Sequence, residues 1–113
     1  MRYKKIGLYD QETKSSLILE MYYEIAKELI TAILFIDGYK TLSHTDLIEY
    51  LRIHYKNNFD DYEIELLDQL RKYRNKIVYY GIFIEPSYLK MNNKTIIVVI
   101  DKLFGLCDRN LSR

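Results

Sequence analysis

The sequence predicts an all-α fold, an up-down bundle of four or five helices. Apolar residues recur at spacings of three and four over long stretches, as on the buried face of a helix. Capping residues bound these stretches, and the connections between them are short enough to join antiparallel neighbours. The chain has 113 residues, of which 49% are hydrophobic and 29% charged, a balance that suits one globular domain over residues 1–113.

The first helix is expected from Asp10 to Ile36, with Asp10 as its N-cap and Gly38 just past its end. Its expected buried face is a stripe of apolar residues at helical spacing. These residues are Ile18, Met21, Ile25, Leu29, Ala32 and Ile36. Glu24 and Lys27 fall away from the stripe, so we expect both side chains to face water.

Two further helices are predicted before residue 81. Ser43 is expected to cap the second helix, which ends near Asn57 and Asn58. The apolar residues of this helix are Leu47, Ile48, Leu51 and Tyr55. The third helix begins at Asp60 or Asp61 and ends at Gly81, a residue that readily adopts a positive φ. The apolar residues of the third helix are Leu66, Leu67, Leu70, Tyr73 and Ile77.

The last third of the chain allows two interpretations. The β-branched run from Ile96 to Ile100 has the propensity of a strand and could form a hairpin with residues 80–84. Against this, several apolar residues share a helical spacing, and Pro86 or Ser87 suits the first turn of a helix. These residues are Leu89, Ile96, Ile100, Leu103 and Cys107. We expect a fourth helix.

Composition limits the classes of function. The net charge of +1 provides no overall attraction to nucleic acid, so an electrostatic preference must come from a local patch. Cys107 is the only cysteine, which excludes an internal disulfide and suits a reducing cytoplasm. No apolar stretch approaches the roughly 20 residues of a membrane helix. His44 and His54 lack a second ligand at metal-binding spacing, so no metal or other cofactor is expected.

The strongest chemical signal is a basic cluster near the end of the third helix. Arg71, Lys72, Arg74 and Lys76 place four cations in its closing turns. They could complement the negative end of the helix dipole. Alternatively, Arg71 and Arg74 share a face and could hold a phosphate group between two guanidinium groups, with Asn75 beside them. Composition leaves both interpretations open.

Residues 70–81, with the sequence LRKYRNKIVYYG, resemble the signature of HEPN domains, whose name denotes nucleotide binding in higher eukaryotes and prokaryotes. The long first helix and the segment from Ile36 to His44 also resemble small archaeal members, and the resemblance extends from about Ser16 to Leu106. It implies a four- or five-helix bundle that forms homodimers with the two motifs facing each other. Many such domains are metal-independent ribonucleases, often toxins whose antitoxin is a minimal nucleotidyltransferase.

The resemblance also assigns roles to residues. The family motif is an arginine, a polar residue, three further residues and a histidine; here Arg74 and Asn75 occupy the first two positions and Tyr79 replaces the histidine. Tyrosine, with a pKa of about 10, is a poor proton carrier at neutral pH beside histidine at about 6.5. The toxin family's modifiable tyrosine falls at Gly81, with Tyr80 one residue short. Arg74 and Tyr79 also lie about 140° apart around an ideal helix.

Three functions therefore stay open. The first is a catalytically degenerate HEPN-type domain that binds RNA or nucleotide phosphate through Arg71, Arg74, Asn75 and Tyr80 at a homodimer interface. The second is an active metal-independent endoribonuclease with Arg74 and Tyr79 as catalytic residues. The third is a non-catalytic subunit that binds another protein. The twelve tyrosines could line helix contacts, stack on bases or cover a subunit interface.

Overall fold

The computed structural model of the chain describes residues 8–39 and 44–111, and these residues form four helices without a strand. The helices are α1 (Leu8–Ile36), α2 (His44–His54), α3 (Asp61–Tyr80) and α4 (Pro86–Leu111). The predicted all-α bundle is thus confirmed. Residues 96–100 are helical, so the strand interpretation of this run is wrong and the fourth helix is confirmed.

The three long helices alternate in direction. Glu24 near the middle of α1 contacts Arg74 near the end of α3, and Tyr22 and Leu29 of α1 contact Asn93 and Cys107 of α4. Because the start of α3 also packs with the second half of α1 and its end with the first half, α3 runs opposite to α1. The two contacts with α4 follow the same order along both helices, so α4 runs in the same direction as α1. The shorter α2 packs against α1 and α3 at the end of the bundle where α1 finishes.

The core has two parts along the bundle. One part joins the second half of α1 to α2, the start of α3 and the second half of α4, around Leu51 and Leu103. The other joins the first half of α1 to the end of α3 and the start of α4, around Leu19 and Ile96. The second part carries the basic segment of α3, so burial of that apolar face positions the candidate site.

The first helix departs from the prediction in two respects. It begins at Leu8, so Asp10 lies inside its first turn and the predicted N-cap is wrong. The predicted stripe is also wrong, since Met21 is 52% exposed. The buried apolar residues of the helix are Leu19, Tyr23, Ala26, Ile30, Ile33 and Leu34, on a face turned by about one residue. Contact with α3 and α4 selects this face from several apolar ones.

Local signals at the ends of α3 act as predicted. The Asp60 carboxylate accepts a hydrogen bond from Glu63 N at 2.8 Å, and Asp60 N donates to Glu63 Oε1 at 3.0 Å. This reciprocal pair is a capping box. At the other end, Gly81 has φ 65° and ψ 22°, and its N–H donates to the Ile77 carbonyl. The predicted cap of α2 at Ser43 lies outside the described residues.

The loop between α3 and α4 is tied to the core. Ser16 of α1 is fully buried, and its Oγ accepts a hydrogen bond from Ile84 N at 3.0 Å. Ile84 itself packs in the second core part. This bond satisfies a loop N–H that burial would otherwise leave unpaired. The loop therefore fixes where the end of α3 lies relative to α1.

Candidate functional site

Arg74 lies between α3 and α1 rather than in solvent. Its side chain is 14% exposed, and Nη2 donates to Glu24 Oε2 at 3.0 Å. Nη1 donates to Asn75 Oδ1 at 3.2 Å, and the guanidinium carbon stands 5.7 Å from the centre of the Tyr23 ring. Nε is buried and has no hydrogen-bond partner among the described residues. Each terminal nitrogen carries a second N–H beyond these bonds.

Arg71 is held by a carboxylate of its own helix. Its Nε and Nη2 donate to Asp68 Oδ1 at 3.1 and 2.9 Å, and its side chain is 17% exposed. Lys72 Nζ lies 3.2 Å from the other oxygen of the same carboxylate. Burial alone would raise the pKa of Asp68, but the hydrogen bonds from Arg71 and Lys72 hold it below its ordinary value.

Glu24 is a second shared carboxylate. Besides Arg74, it pairs with Lys27 at 3.0 Å. The prediction that Glu24 and Lys27 face water holds only in part, since their side chains are 34% and 27% exposed and both are engaged in this network. Burial opposes ionisation of Glu24, yet Lys27 and Arg74 together hold its pKa below the ordinary value.

These ion pairs leave an excess of positive charge. Glu24 and Asp68 are each shared by two cations, so four cations face two carboxylates and the network carries a formal charge of +2. The Tyr23 ring lies beside Arg74 of this network, with the guanidinium carbon 5.7 Å from the ring centre. Burial raises the pKa of Tyr23 to about 12, even though Arg74 and Arg71 act to lower it. Its phenol is therefore neutral at physiological pH and does not offset the excess.

The tyrosines at the end of α3 face solvent. Tyr79 is 67% exposed and Tyr80 is 75% exposed. The α-helix continues unbroken through Tyr80, so Arg74 and Tyr79 stay about 140° apart around its axis. Within one chain the helix therefore directs Arg74 toward α1 and Tyr79 toward solvent. The structure thus brings Arg71, Arg74 and Asn75 into one region, whereas Tyr79 and Tyr80 lie on other sides of α3, about 140° and about 120° around the axis from Arg74.

An aromatic cleft opens next to the basic cluster. Tyr73 of α3 and Tyr88 of α4 pack with ring centres 4.6 Å apart, and Lys76 Nζ lies 5.6 Å from the centre of the Tyr73 ring. The cleft of about 380 Å³ beside them is also lined by Ile82 and Met91. Planar groups and cations are thus adjacent at this end of the bundle, as in surfaces that stack bases.

A second polar cluster, absent from the sequence predictions, lies at the opposite end of the bundle. The hydroxyls of Tyr50 and Tyr55 both donate to Asp37 Oδ2, and His54 stacks on Tyr50 with ring centres 4.4 Å apart. Burial and the bond to Asp37 raise the pKa of Tyr50 above its ordinary value. The only sequence signal was the Tyr50–His54 spacing of four. His54 therefore has a structural role, as one ring of this aromatic cluster.

Other chemistry is limited in the described part of the chain. No three His, Cys, Asp or Glu side chains there lie close enough to hold a metal ion. None of the described helices combines the length and apolar character needed to cross a bilayer. Comparisons with protein-family models, curated proteins and solved structures find no match to this chain. Fold and site together define a small helical bundle with a basic, tyrosine-rich end of α3.

Proposed function

We propose that this chain is a HEPN-like domain that binds the phosphate groups of RNA or of a nucleotide at the end of α3. Arg74, Arg71 and Asn75 are its phosphate ligands, Tyr80 is its stacking surface, and the domain works as a homodimer without catalysing cleavage. The observation that carries the proposal is the excess positive charge of the network around Glu24 and Asp68. An anion that enters this region relieves repulsion among four cations.

The ion pairs of Arg74 and Arg71 support their choice as phosphate ligands. Arg74 and Arg71 are oriented by Glu24 and Asp68, so little side-chain entropy is lost when a ligand arrives. The second N–H groups of their terminal nitrogens are donors suited to phosphate oxygens. Lys72 is 61% exposed and adds long-range attraction. Affinity is expected to be moderate, because the carboxylates compete for the same cations.

The exposed aromatics favour a nucleic-acid ligand over a bare anion. Tyr79 and Tyr80 extend into solvent, two residues and one residue before the helix cap at Gly81. A base stacked on an exposed ring contributes about 1–3 kcal/mol in single-strand binding proteins. Tyr79 stands where the family motif has histidine, and it lies away from Arg74 around the helix, which supports binding over catalysis.

The test is binding of a fluorescent single-stranded RNA, followed by anisotropy at several salt concentrations with EDTA present. Arg74→Gln is expected to weaken binding and to lower the salt slope by about 0.7, the effect of one lost phosphate contact. The matched control is Arg52→Gln, since Arg52 also pairs with a glutamate, Glu49, at 3.0 Å, but on α2. The control is expected to bind as the wild type does.

Each alternative function gives a different result in the same samples. RNA cleavage by the wild type that Arg74→Gln and Tyr79→Phe both abolish identifies a metal-independent ribonuclease and overturns the proposal. Binding that is equally weakened by Arg52→Gln and Arg74→Gln reflects overall charge alone and also overturns it. If the wild type neither cleaves nor binds RNA, a protein-binding subunit is the better account. Far-UV circular dichroism checks that each variant is folded.

A further inference from the structure

The aromatic cleft between α3 and α4 is a small cavity with mostly apolar walls. Its volume of about 380 Å³ suits a small organic ligand. Six of its nine lining residues are apolar or aromatic, namely Tyr73, Ile82, Phe83, Ile84, Tyr88 and Met91. Ile82 and Met91 are 55% and 82% exposed, so the rim of the cleft carries apolar surface that a ligand would cover.

The two tyrosine rings of the cleft are held in place by the fold. The Tyr88 hydroxyl donates to Gln69 Oε1 at 2.9 Å, and the Tyr73 ring packs against the Tyr88 ring. The adjoining loop is fixed by the hydrogen bond from Ile84 N to Ser16 Oγ. A preformed aromatic wall loses little conformational entropy on binding, which favours a planar ligand that packs against the rings.

The aromatic cleft includes a cation of the basic cluster and lies on the same side of α3 as Tyr80. At 100° per residue, Tyr73, Lys76 and Tyr80 lie within about 60° of one another around the helix. Lys76 Nζ is 5.6 Å from the centre of the Tyr73 ring. A planar ligand in the cleft therefore has a cation nearby for an attached phosphate group. Aromatic faces with neighbouring cations are how many proteins hold single-stranded nucleic acid.

The polar groups of the cleft indicate which base it accepts. Besides Lys76, its polar lining side chains are Glu85 and Ser87. Neither Lys76 nor Glu85 forms an ion pair with another described residue. A carboxylate has two acceptor oxygens and no donor, so it pairs best with a base edge that presents two adjacent donors. Among the standard bases only guanine does so, through N1–H and the N2 amino group.

We infer that the aromatic cleft binds a guanine base. The base packs against Tyr73 and Tyr88, its N1–H and N2 amino group donate to the Glu85 carboxylate, and Lys76 contacts its phosphate group. This inference rests on the proposed function and names the base of its ligand. The cleft determines the ratio of affinities between bases, whereas the arginines determine overall affinity for phosphate. One can therefore fail without the other.

The first test compares three fluorescent uridine oligomers that differ only at the central base, which is guanine, hypoxanthine or adenine. Binding is measured by anisotropy with EDTA present. Hypoxanthine keeps N1–H but lacks the N2 amino group, so its oligomer is expected to bind about tenfold more weakly than the guanine oligomer. Adenine has no pair of adjacent donors on this edge and is expected to bind at least as weakly. Equal affinities for the three oligomers overturn the inference.

A substitution at Glu85 tests the residue that selects the base. Glu85→Gln replaces one acceptor with a donor and is expected to bring the guanine and hypoxanthine oligomers within about twofold of each other. Glu65→Gln removes an exposed carboxylate of α3 outside the cleft and is expected to keep the tenfold preference. Arg74→Gln is expected to weaken all three oligomers by a similar factor. A guanine preference that survives Glu85→Gln overturns the inference.

A pair of substitutions at Tyr73 tests the aromatic wall. Tyr73→Phe keeps the ring and is expected to bind the guanine oligomer within about twofold of the wild type. Tyr73→Leu keeps an apolar side chain but removes the ring, and is expected to bind it about tenfold more weakly. Circular dichroism checks that both variants are folded. Equal affinities of the two folded variants contradict packing of the base against this ring.

Competition with guanosine monophosphate separates a free nucleotide from a guanine within a strand. Displacement of the labelled guanine oligomer by guanosine monophosphate, but not by inosine monophosphate, assigns the cleft to a free nucleotide. Displacement by neither, with the oligomer preference intact, assigns it to RNA.

The outcomes also separate this inference from the proposed function. Arg74-dependent RNA binding without a base preference overturns the inference alone. If the wild type binds no RNA, calorimetric titration with guanosine monophosphate tests the cleft by itself. Saturable binding that Glu85→Gln weakens supports the cleft, and absence of binding overturns it.

Discussion

Arg74 of α3 donates a hydrogen bond to Glu24 of α1 across 3.0 Å, joining two residues that are fifty positions apart in sequence. The bond orients the arginine that the sequence singled out, and it also occupies that arginine. Glu24 therefore has two opposing effects on any phosphate ligand. It preorganises the guanidinium group, and it competes for the same charge. The balance between these effects decides the behaviour of the site.

Neutralising Glu24 is expected to strengthen RNA binding. Glu24→Gln keeps the size of the side chain but removes its charge, so the local excess of positive charge rises by one. Affinity for single-stranded RNA is expected to increase about threefold, measured by anisotropy. Glu49→Gln, which removes the carboxylate paired with Arg52, is the control. A decrease in affinity instead means that the orienting effect of Glu24 outweighs its competition.

Stability is expected to fall in acid through the two shared carboxylates. The pKa values of Glu24 and Asp68 are lower in the folded chain than their ordinary values of 4.5 and 3.8. Carboxyls of this kind contribute stability that is complete above the ordinary pKa and is lost as pH falls through the lower, folded-state pKa. Urea denaturation at pH 6 and at pH 3 measures the loss. The double variant Glu24→Gln with Asp68→Asn is expected to show a smaller loss than the wild type, and an equal loss contradicts this assignment.

The cap of α3 is expected to contribute measurably to stability. Asp60→Ala removes the acceptor of the Glu63 N–H at 2.8 Å and breaks the capping box. The free energy of unfolding is expected to fall by about 1 kcal/mol, measured by urea denaturation. Asp61→Ala is the control, since Asp61 lies one residue later, in the first turn. If both variants lose the same free energy of unfolding, the two acids act only through the helix dipole and Asp60 makes no specific contribution as a cap.

Two glycines are expected to respond to alanine in opposite ways. Gly81 has φ 65°, a left-handed conformation that alanine adopts with strain, so Gly81→Ala is expected to lower stability by about 1 kcal/mol. Gly105 lies within α4, where a Cβ meets nothing within 4 Å. Gly105→Ala is therefore expected to raise stability by roughly 0.5–1 kcal/mol. Denaturation at low protein concentration keeps the starting state monomeric. If both substitutions change the free energy of unfolding in the same direction, the backbone conformation of these two glycines does not explain their effects.

The boundaries of α3 were predictable because their causes are local. Asp60 accepts from an N–H three residues later, and Gly81 allows the backbone turn without regard to distant residues. The helical state of residues 96–100 was harder to predict, because β-branched residues favour strands by propensity. Burial of Ile96 and Val99 against the other helices decides it in favour of helix.

The buried face of α1 was not predictable in the same way. Apolar residues occur on several sides of this helix, so more than one stripe has helical spacing. Met21 and Phe35 remain outside, whereas Tyr23, a residue with a polar hydroxyl, is 2% exposed. Which face is covered depends on where α3 and α4 lie, and this is a property of the assembled bundle.

The sequence by itself determined the helical class, the ends of α3 and the basic run that contains Arg71 and Arg74, because these depend on residues within a few positions of one another. Only the tertiary structure decided that Glu24 pairs with Arg74 and that Asp37 joins Tyr50 and Tyr55. The physical reason is that an ion pair or hydrogen bond between helices requires a specific packing of their apolar faces. That packing sets which polar groups meet at the edges of the core.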